Sequence, residues 1–115
     1  MDLQTVLKEY IEACHIHGSE TDGEVDYKKI NKAADTIIKN IGILMSSEEG
    51  TALAKAQLYN EDVYVAAWTA TLLIFDYKKQ CKKVLKSVIK RKGVFAYSTA
   101  TFYKEWKKGN MQKIY

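Results

Sequence analysis

Proline is absent from this chain of 115 residues, and only 6 glycines interrupt it. Without the strongest helix breaker, glycine is left to do the punctuation, and an all-helical chain follows naturally. Cysteine is almost absent too. Cys14 and Cys81 each fall on the apolar stripe of a predicted helix, where a thiol packs as a small hydrophobe, so reduced core thiols are expected rather than a disulfide framework. No apolar run approaches the roughly 20 residues that span a bilayer. Nor does a charged start, an apolar segment and a small-residue cleavage site open the chain. These absences set the expectation of a cytoplasmic protein with no membrane association. Its residues 1–115 should form one helical domain, long enough to bury a core without disulfide or metal staples.

What is present is an ordinary globular composition, with 47% hydrophobic and 28% charged residues. Charge is spread unevenly. Residues 1–60 hold 6 Lys/Arg against 10 Asp/Glu, a balance of −4, whereas residues 61–115 hold 12 against 4, a balance of +8. The net charge of +4 hides a dipolar molecule.

Apolar spacing of three and four marks successive amphipathic helices. Leu3, Val6, Leu7, Tyr10, Ile11 and Cys14 draw the first stripe, with Gly18 placed to end that helix near His17. The polar "SETDGEVD" reads as a loop. Asp26 can cap a second helix running to about Met45, and Ser46 with Glu49 has capping-box spacing for a short third helix to about Leu58. Asn60 is a good cap for the fourth helix and Asp76 for the fifth, which should end at Gly93 after its cationic "KRK" turn. The sixth runs from about Ala96 to Lys108 and stops at Gly109. "NMQKIY" is left as a tail that docks or frays.

The fourth helix differs from the others because it is apolar almost all round. Within "NEDVYVAAWTATLLIF", Val63, Ala66, Ala67 and Ala70 make a small-residue face that lets another backbone approach, while Tyr64, Trp68, Leu72 and Phe75 make a broad opposite face. A helix of that kind is a buried one. Helix pairs with one member buried on both sides are the arrangement of armadillo and HEAT stacks. The segment "LYNEDVYVAAWTATL" resembles the inner-helix signature of such repeats. Together with "KKINKAAD", which holds Asn31 and Asp35, and the closing "FYKEWKKGN", it resembles a family of small bacterial domains of unknown function over about residues 3–110. The resemblance implies a short right-handed armadillo/HEAT-like superhelix of about six helices. It also implies an intracellular bacterial protein, some relatives of which look like toxin-immunity proteins, and hence a protein-binding role. Two positions depart from the pattern: Glu61 stands where such turns often have Pro, and Tyr64 where HEAT-type helices often carry the Arg that ties adjacent repeats.

Candidate chemistry is thin. "CHIH", with Cys14, His15 and His17, offers zinc-type donors, but neighbours on a helix project about 100° apart and no second cluster completes the set. The pairs Glu48/Glu49 and Glu61/Asp62 lie in predicted first turns, where capping and the helix dipole account for them. No phosphate loop, nucleophile elbow or HExxH motif is present, so neither enzymatic activity nor a cofactor is expected. The suggestive stretch is "DYKKQCKKVLKSVIKRKG". Lys78, Lys79, Lys82, Lys83, Lys86, Lys90 and Arg91 fall away from the apolar stripe, with Lys78, Lys82 and Lys86 in a row. Such a row suits an acidic protein partner, such as a toxin surface, or the phosphates of a nucleic acid, and it is also what a merely solvated helix looks like. Lysine lacks the bidentate fork of Arg, which counts against base reading. Among 8 tyrosines, Tyr59, Tyr64 and Tyr97 near helix starts either pack or form an exposed aromatic patch, and Tyr64 is added to the candidate partner-binding set.

Overall fold

Helix caps decide where this chain turns. In the computed structural model, which describes residues 2–115, the elements are α1 (Leu3–Asp22), α2 (Tyr27–Leu44), α3 (Glu48–Ala56), a short 3-10 helix (Gln57–Tyr59), α4 (Val63–Leu73), α5 (Lys78–Val88) and α6 (Val94–Lys107). The protein is all-helical, with no strand among the described residues. Asp26 caps α2 by accepting from the Lys28 and Lys29 backbone N–H groups at 3.1 and 3.3 Å. Three expected caps move. Ser47, not Ser46, caps α3, through the Gly50 N–H at 3.0 Å, because the Ser46 hydroxyl is turned back onto the Gly42 carbonyl at 2.6 Å. Asp62, not Asn60, caps α4 at 2.9 Å, while Asn60 accepts from the Asp62 N–H at 2.8 Å and so sets the turn that delivers the cap. Asp76 caps nothing. Its carboxylate instead receives Lys113 Nζ at 2.7 Å and the Tyr115 hydroxyl at 3.0 Å, which ties the C-terminal tail to the α4–α5 corner.

The largest departure from expectation is at Gly18. It does not end α1, which continues to Asp22. Its φ is not positive, and a Cβ built there would lie 2.1 Å from Tyr64 Cδ1 and 2.2 Å from Cγ. Gly18 is thus the point where α4 crosses close to α1, not a stop. The extra turn carries Asp22 across the molecule. There its Oδ1 accepts the Phe95 backbone N–H at 2.8 Å and its Oδ2 accepts the Tyr64 hydroxyl at 2.9 Å. The start of α6 is therefore capped by a carboxylate from 73 residues earlier in the chain. Gly93, at φ 119°, makes the sharp entry that brings Phe95 to it.

α4 is the hub. It packs against α1, α3, the 3-10 helix, α5 and α6, whereas α2 lies only on α1 and α3. Ala66, Ala67 and Ala70 are 7%, 1% and 0% exposed, which places the alanine face between neighbouring backbones. Val65, Leu73 and Ile74 are fully buried, each contributing about 1.5–3 kcal/mol. Two buried polar bridges fix the register. Thr69 donates to the Val65 carbonyl at 2.8 Å, leaving its oxygen to accept from Tyr10, also at 2.8 Å, which locks α1 to α4. Asn40 donates to the Val6 carbonyl at 3.0 Å and locks α2 to α1. The result has a radius of gyration of 13.2 Å and extents of 36 × 31 × 25 Å, close to the value of about 13 Å expected of a compact chain of this size.

Candidate functional site on the fifth helix

Cys81, Leu85 and Val88, spaced four and three apart, are the buried residues of α5. That seam turns the opposite side outward, where Lys79, Lys83 and Lys86 are exposed, whereas Lys78, three residues before Cys81 and seven before Leu85, is exposed on the seam side of the first turn, in a groove with Phe75, Trp106 and Lys107. Lys82 is half-buried. Among the described residues none of these lysines is in an ion pair. The pairs formed are Lys29–Glu20, Lys108–Glu105 and Lys113–Asp76, and His15 Nδ1 meets the Asp62 carboxylate.

The start of α5 is poor by helix standards. Its N-cap is Tyr77, which makes no side-chain capping bond, and its first turn holds no acid. Lys78 and Lys79 stand there instead, at the positive end of the helix dipole, where each cation opposes the helix by about 0.3–1 kcal/mol. Helix stability does not account for them.

Lys90 and Arg91 are not part of the helix face. The helix ends at Val88, and the Arg91 N–H closes onto the Val88 carbonyl at 3.0 Å, because the chain must bend here to enter α6. Both side chains are exposed on that turn, and the positive charge of Arg91 is felt at the Tyr64 hydroxyl. Tyr64 itself is engaged internally. Its ring lies over Gly18, meets Phe95 edge-on at 4.9 Å, and donates its hydroxyl to Asp22. Burial, then the bond to Asp22, raises its phenol pKa. Tyr59 is the aromatic that sequence spacing did not join to the lysines. It is 73% exposed and lines a shallow groove with Lys79, Gln80, Lys83, Val84 and Ser87. About 20 residues separate it from Lys79, and only the packing of the 3-10 helix against α5 brings them together. Tyr97, 75% exposed, lies on α6.

The "CHIH" donors diverge. Cys14 is fully buried, with its thiol pushed up to about 12 by desolvation. His15 Nδ1 lies 2.6 Å from Asp62 Oδ2 at the surface, and His17 packs edge-on against Trp68 at 4.8 Å. Glu48 and Glu49 are exposed in the first turn of α3. Among the described residues, no helix is long and apolar enough to cross a membrane. No family model, curated protein or solved structure matches the chain.

Proposed function

We propose that this protein is a non-enzymatic protein-binding scaffold of the cell interior, of the bacterial toxin-immunity type, whose α5 face docks an acidic surface of its partner. The observation that carries this reading is the pair Lys78 and Lys79 at the start of α5. They are exposed, outside any ion pair among the described residues, and set against the helix dipole. Charges that work against their own helix are explained by something outside it. Lys83 and Lys86 extend the field, and the exposed Tyr59 beside Lys79 supplies the aromatic anchor that interfaces favour. Complementary charge of this kind raises the association rate. Within the same reading, α1–α2 and α4–α5 are two stacked helix pairs of the armadillo/HEAT kind, with α4 in the inner position.

Structural roles take up at least four of the 14 carboxylates, while Glu9, Glu12 and Glu20 line an open groove between α1 and α2 with Lys29 and Lys32. Asp22, Asp26 and Asp62 cap helices, and Asp76 holds the tail. Each has a structural occupation.

Nucleic acid is the second reading, favoured by the same lysines. A Lys79→Glu/Lys83→Glu variant separates the two, with Lys28→Glu/Lys32→Glu on α2 as the control. On the first reading, one protein from the source cell is retained by the native chain and the control but not by the α5 variant. That partner's gene is then expected beside this one and untenable without it. Retention on generic duplex DNA that collapses as salt rises, and is lost in the α5 variant, transfers the face to nucleic acid. Indifference of both interactions to the α5 substitutions removes both readings.

A further inference from the structure

Lys78 stands apart from the other lysines of α5. It lines a groove of about 490 Å³ with Phe75, Trp106, Lys107, Gly109 and Met111, where the start of α5, the end of α6 and the C-terminal tail meet. That size falls within the range of about 300–1,000 Å³ typical of ligand sites. The tail closes one side of the groove. Gly109, at φ 81°, ends α6 in the left-handed conformation, with its N–H on the Trp106 carbonyl and the Asn110 N–H on the Glu105 carbonyl, both at 3.0 Å. The chain then runs past Met111 to Asp76. Among the described residues, every hydrogen bond from 111–115 ends on one atom, Asp76 Oδ2, so a single carboxylate latches this wall in place.

Charge in this groove is of one sign. No carboxylate lines it, and neither Lys78 nor Lys107 is in an ion pair among the described residues. The two acids beside it in sequence are both engaged: Asp76 holds Lys113 at 2.7 Å, a bond that lowers its pKa, and Glu105 meets Lys108 at 3.8 Å. Lys107 Nζ lies 4.7 Å from the centre of the Tyr103 ring, and the Trp106 ring is stacked on Tyr103 at 6.0 Å. Phe75 and Trp106 are half-buried, so both keep part of their surface open to a ligand. Two cations beside aromatic walls complement a group that is apolar and anionic at once. We propose that this groove receives an aromatic side chain flanked by carboxylates on the docking partner. Its ring lies against Phe75, Trp106 and Met111, and its carboxylates meet Lys78 and Lys107. The proposal rests on the reading of α5 as a face for an acidic protein, and it names the segment that face takes. The tail belongs to the site, because it supplies Met111 and neutralises Asp76.

The test titrates a Glu-Phe-Glu tripeptide, blocked at both ends, into the full ¹⁵N-labelled chain and follows the indole N–H resonance of Trp106, assigned by its loss in Trp106→Phe. That resonance is expected to shift saturably while the Trp68 indole, outside the groove, stays unmoved. A blocked Gln-Phe-Gln should bind about fivefold more weakly, the worth of two exposed ion pairs. Lys78→Glu, which the dipole of α5 favours, should weaken the acidic peptide at least about fivefold without lowering the Tm, and Lys39→Glu on α2 by less than about twofold. Asp76→Ala removes an acid beside the groove but unlatches Met111, so it should weaken binding at least about twofold where charge alone predicts tightening. The Lys78→Glu comparison decides by itself if that variant does not fold. No saturation, equal affinity for the two peptides, indifference to Lys78→Glu, or unchanged or tighter binding by Asp76→Ala overturns the proposal. A failed tripeptide, with a source-cell partner still lost from Lys79→Glu/Lys83→Glu, removes this groove and leaves the α5 reading standing.

Discussion

Replacing Gly18 with alanine sets two well-measured effects against each other. In the middle of a helix the change is normally favourable, by about 0.8–1.0 kcal/mol. Here the new methyl would meet Tyr64 Cδ1 at 2.1 Å, Cγ at 2.2 Å and Cβ at 2.6 Å. Those atoms are the root of the ring, so the clash cannot be relieved by swinging a flexible tip. Either α1 and α4 separate, at about 1–3 kcal/mol for overpacking, or the ring leaves its place. The second route forfeits the hydroxyl bond to Asp22 and the edge-on contact with Phe95, worth about 0.5–1.5 kcal/mol for the aromatic pair alone. The clash outweighs propensity, and Gly18→Ala should destabilise by about 1–3 kcal/mol, lowering the Tm by about 4–12 °C for a chain of this size. Urea unfolding followed by circular dichroism, at constant m, measures it. Gly42 is the control: it lies within α2, and a methyl added there would have nothing within 4 Å, so Gly42→Ala should gain about 0.5–1 kcal/mol. In a Tyr64→Ala background, which removes Cδ1 and Cγ but keeps the Cβ at 2.6 Å, the penalty at position 18 should shrink without changing sign. A Gly18→Ala protein as stable as the native one, or one equally damaged in both backgrounds, would refute the reasoning.

Asp22→Ala should cost about 1–2 kcal/mol in the same assay, because it uncaps α6 and strands the Tyr64 hydroxyl, while Asp22→Asn should lose less than half of that. His17 gives a pH signature. Its folded pKa lies below the usual 6.5, so between the two values the unfolded chain takes up a proton that the folded one refuses. Its contribution is complete above pH 6.5 and is lost as the pH falls through the folded value. Stability of the native chain relative to His17→Phe should therefore decline on acidification from about pH 7 to about pH 5. Both thiols, buried and pushed up to about 12, should resist an aromatic disulfide reagent at about pH 8 and react only at the rate at which the protein opens, with denaturant accelerating both.

Helix existence was legible in the sequence because each helix carries its own apolar period, and α4 declared its central place by having no polar side. Caps were legible where the acceptor is local and without competitors, as at Asp26. They are not legible at Ser46, Asn60 and Asp76, where the side chain has another partner: the Gly42 carbonyl one turn back, the Asp62 N–H two residues on, and the C-terminal tail. On the α5 face, the exposure of Lys79, Lys83 and Lys86 followed from the apolar seam, whereas Lys78, expected beside them, stands on the seam side of the first turn. The placement of Tyr59 beside Lys79 did not, and neither did the engagement of Tyr64 or the loss of Lys90 and Arg91 from the helix.

By itself, then, the sequence determined an all-helical chain, its seams and its uneven charge, since these depend on spacing within a few residues. Tertiary structure decided the meaning of Gly18, which is a crossing point rather than an end, and of Asp22, which caps a helix 73 residues away. It also decided that His17 and Trp68 share one cleft. The physical reason is the same in each case. A close approach, a distant cap and a shared cleft are properties of two or three elements at once, and no periodicity along one of them carries that information.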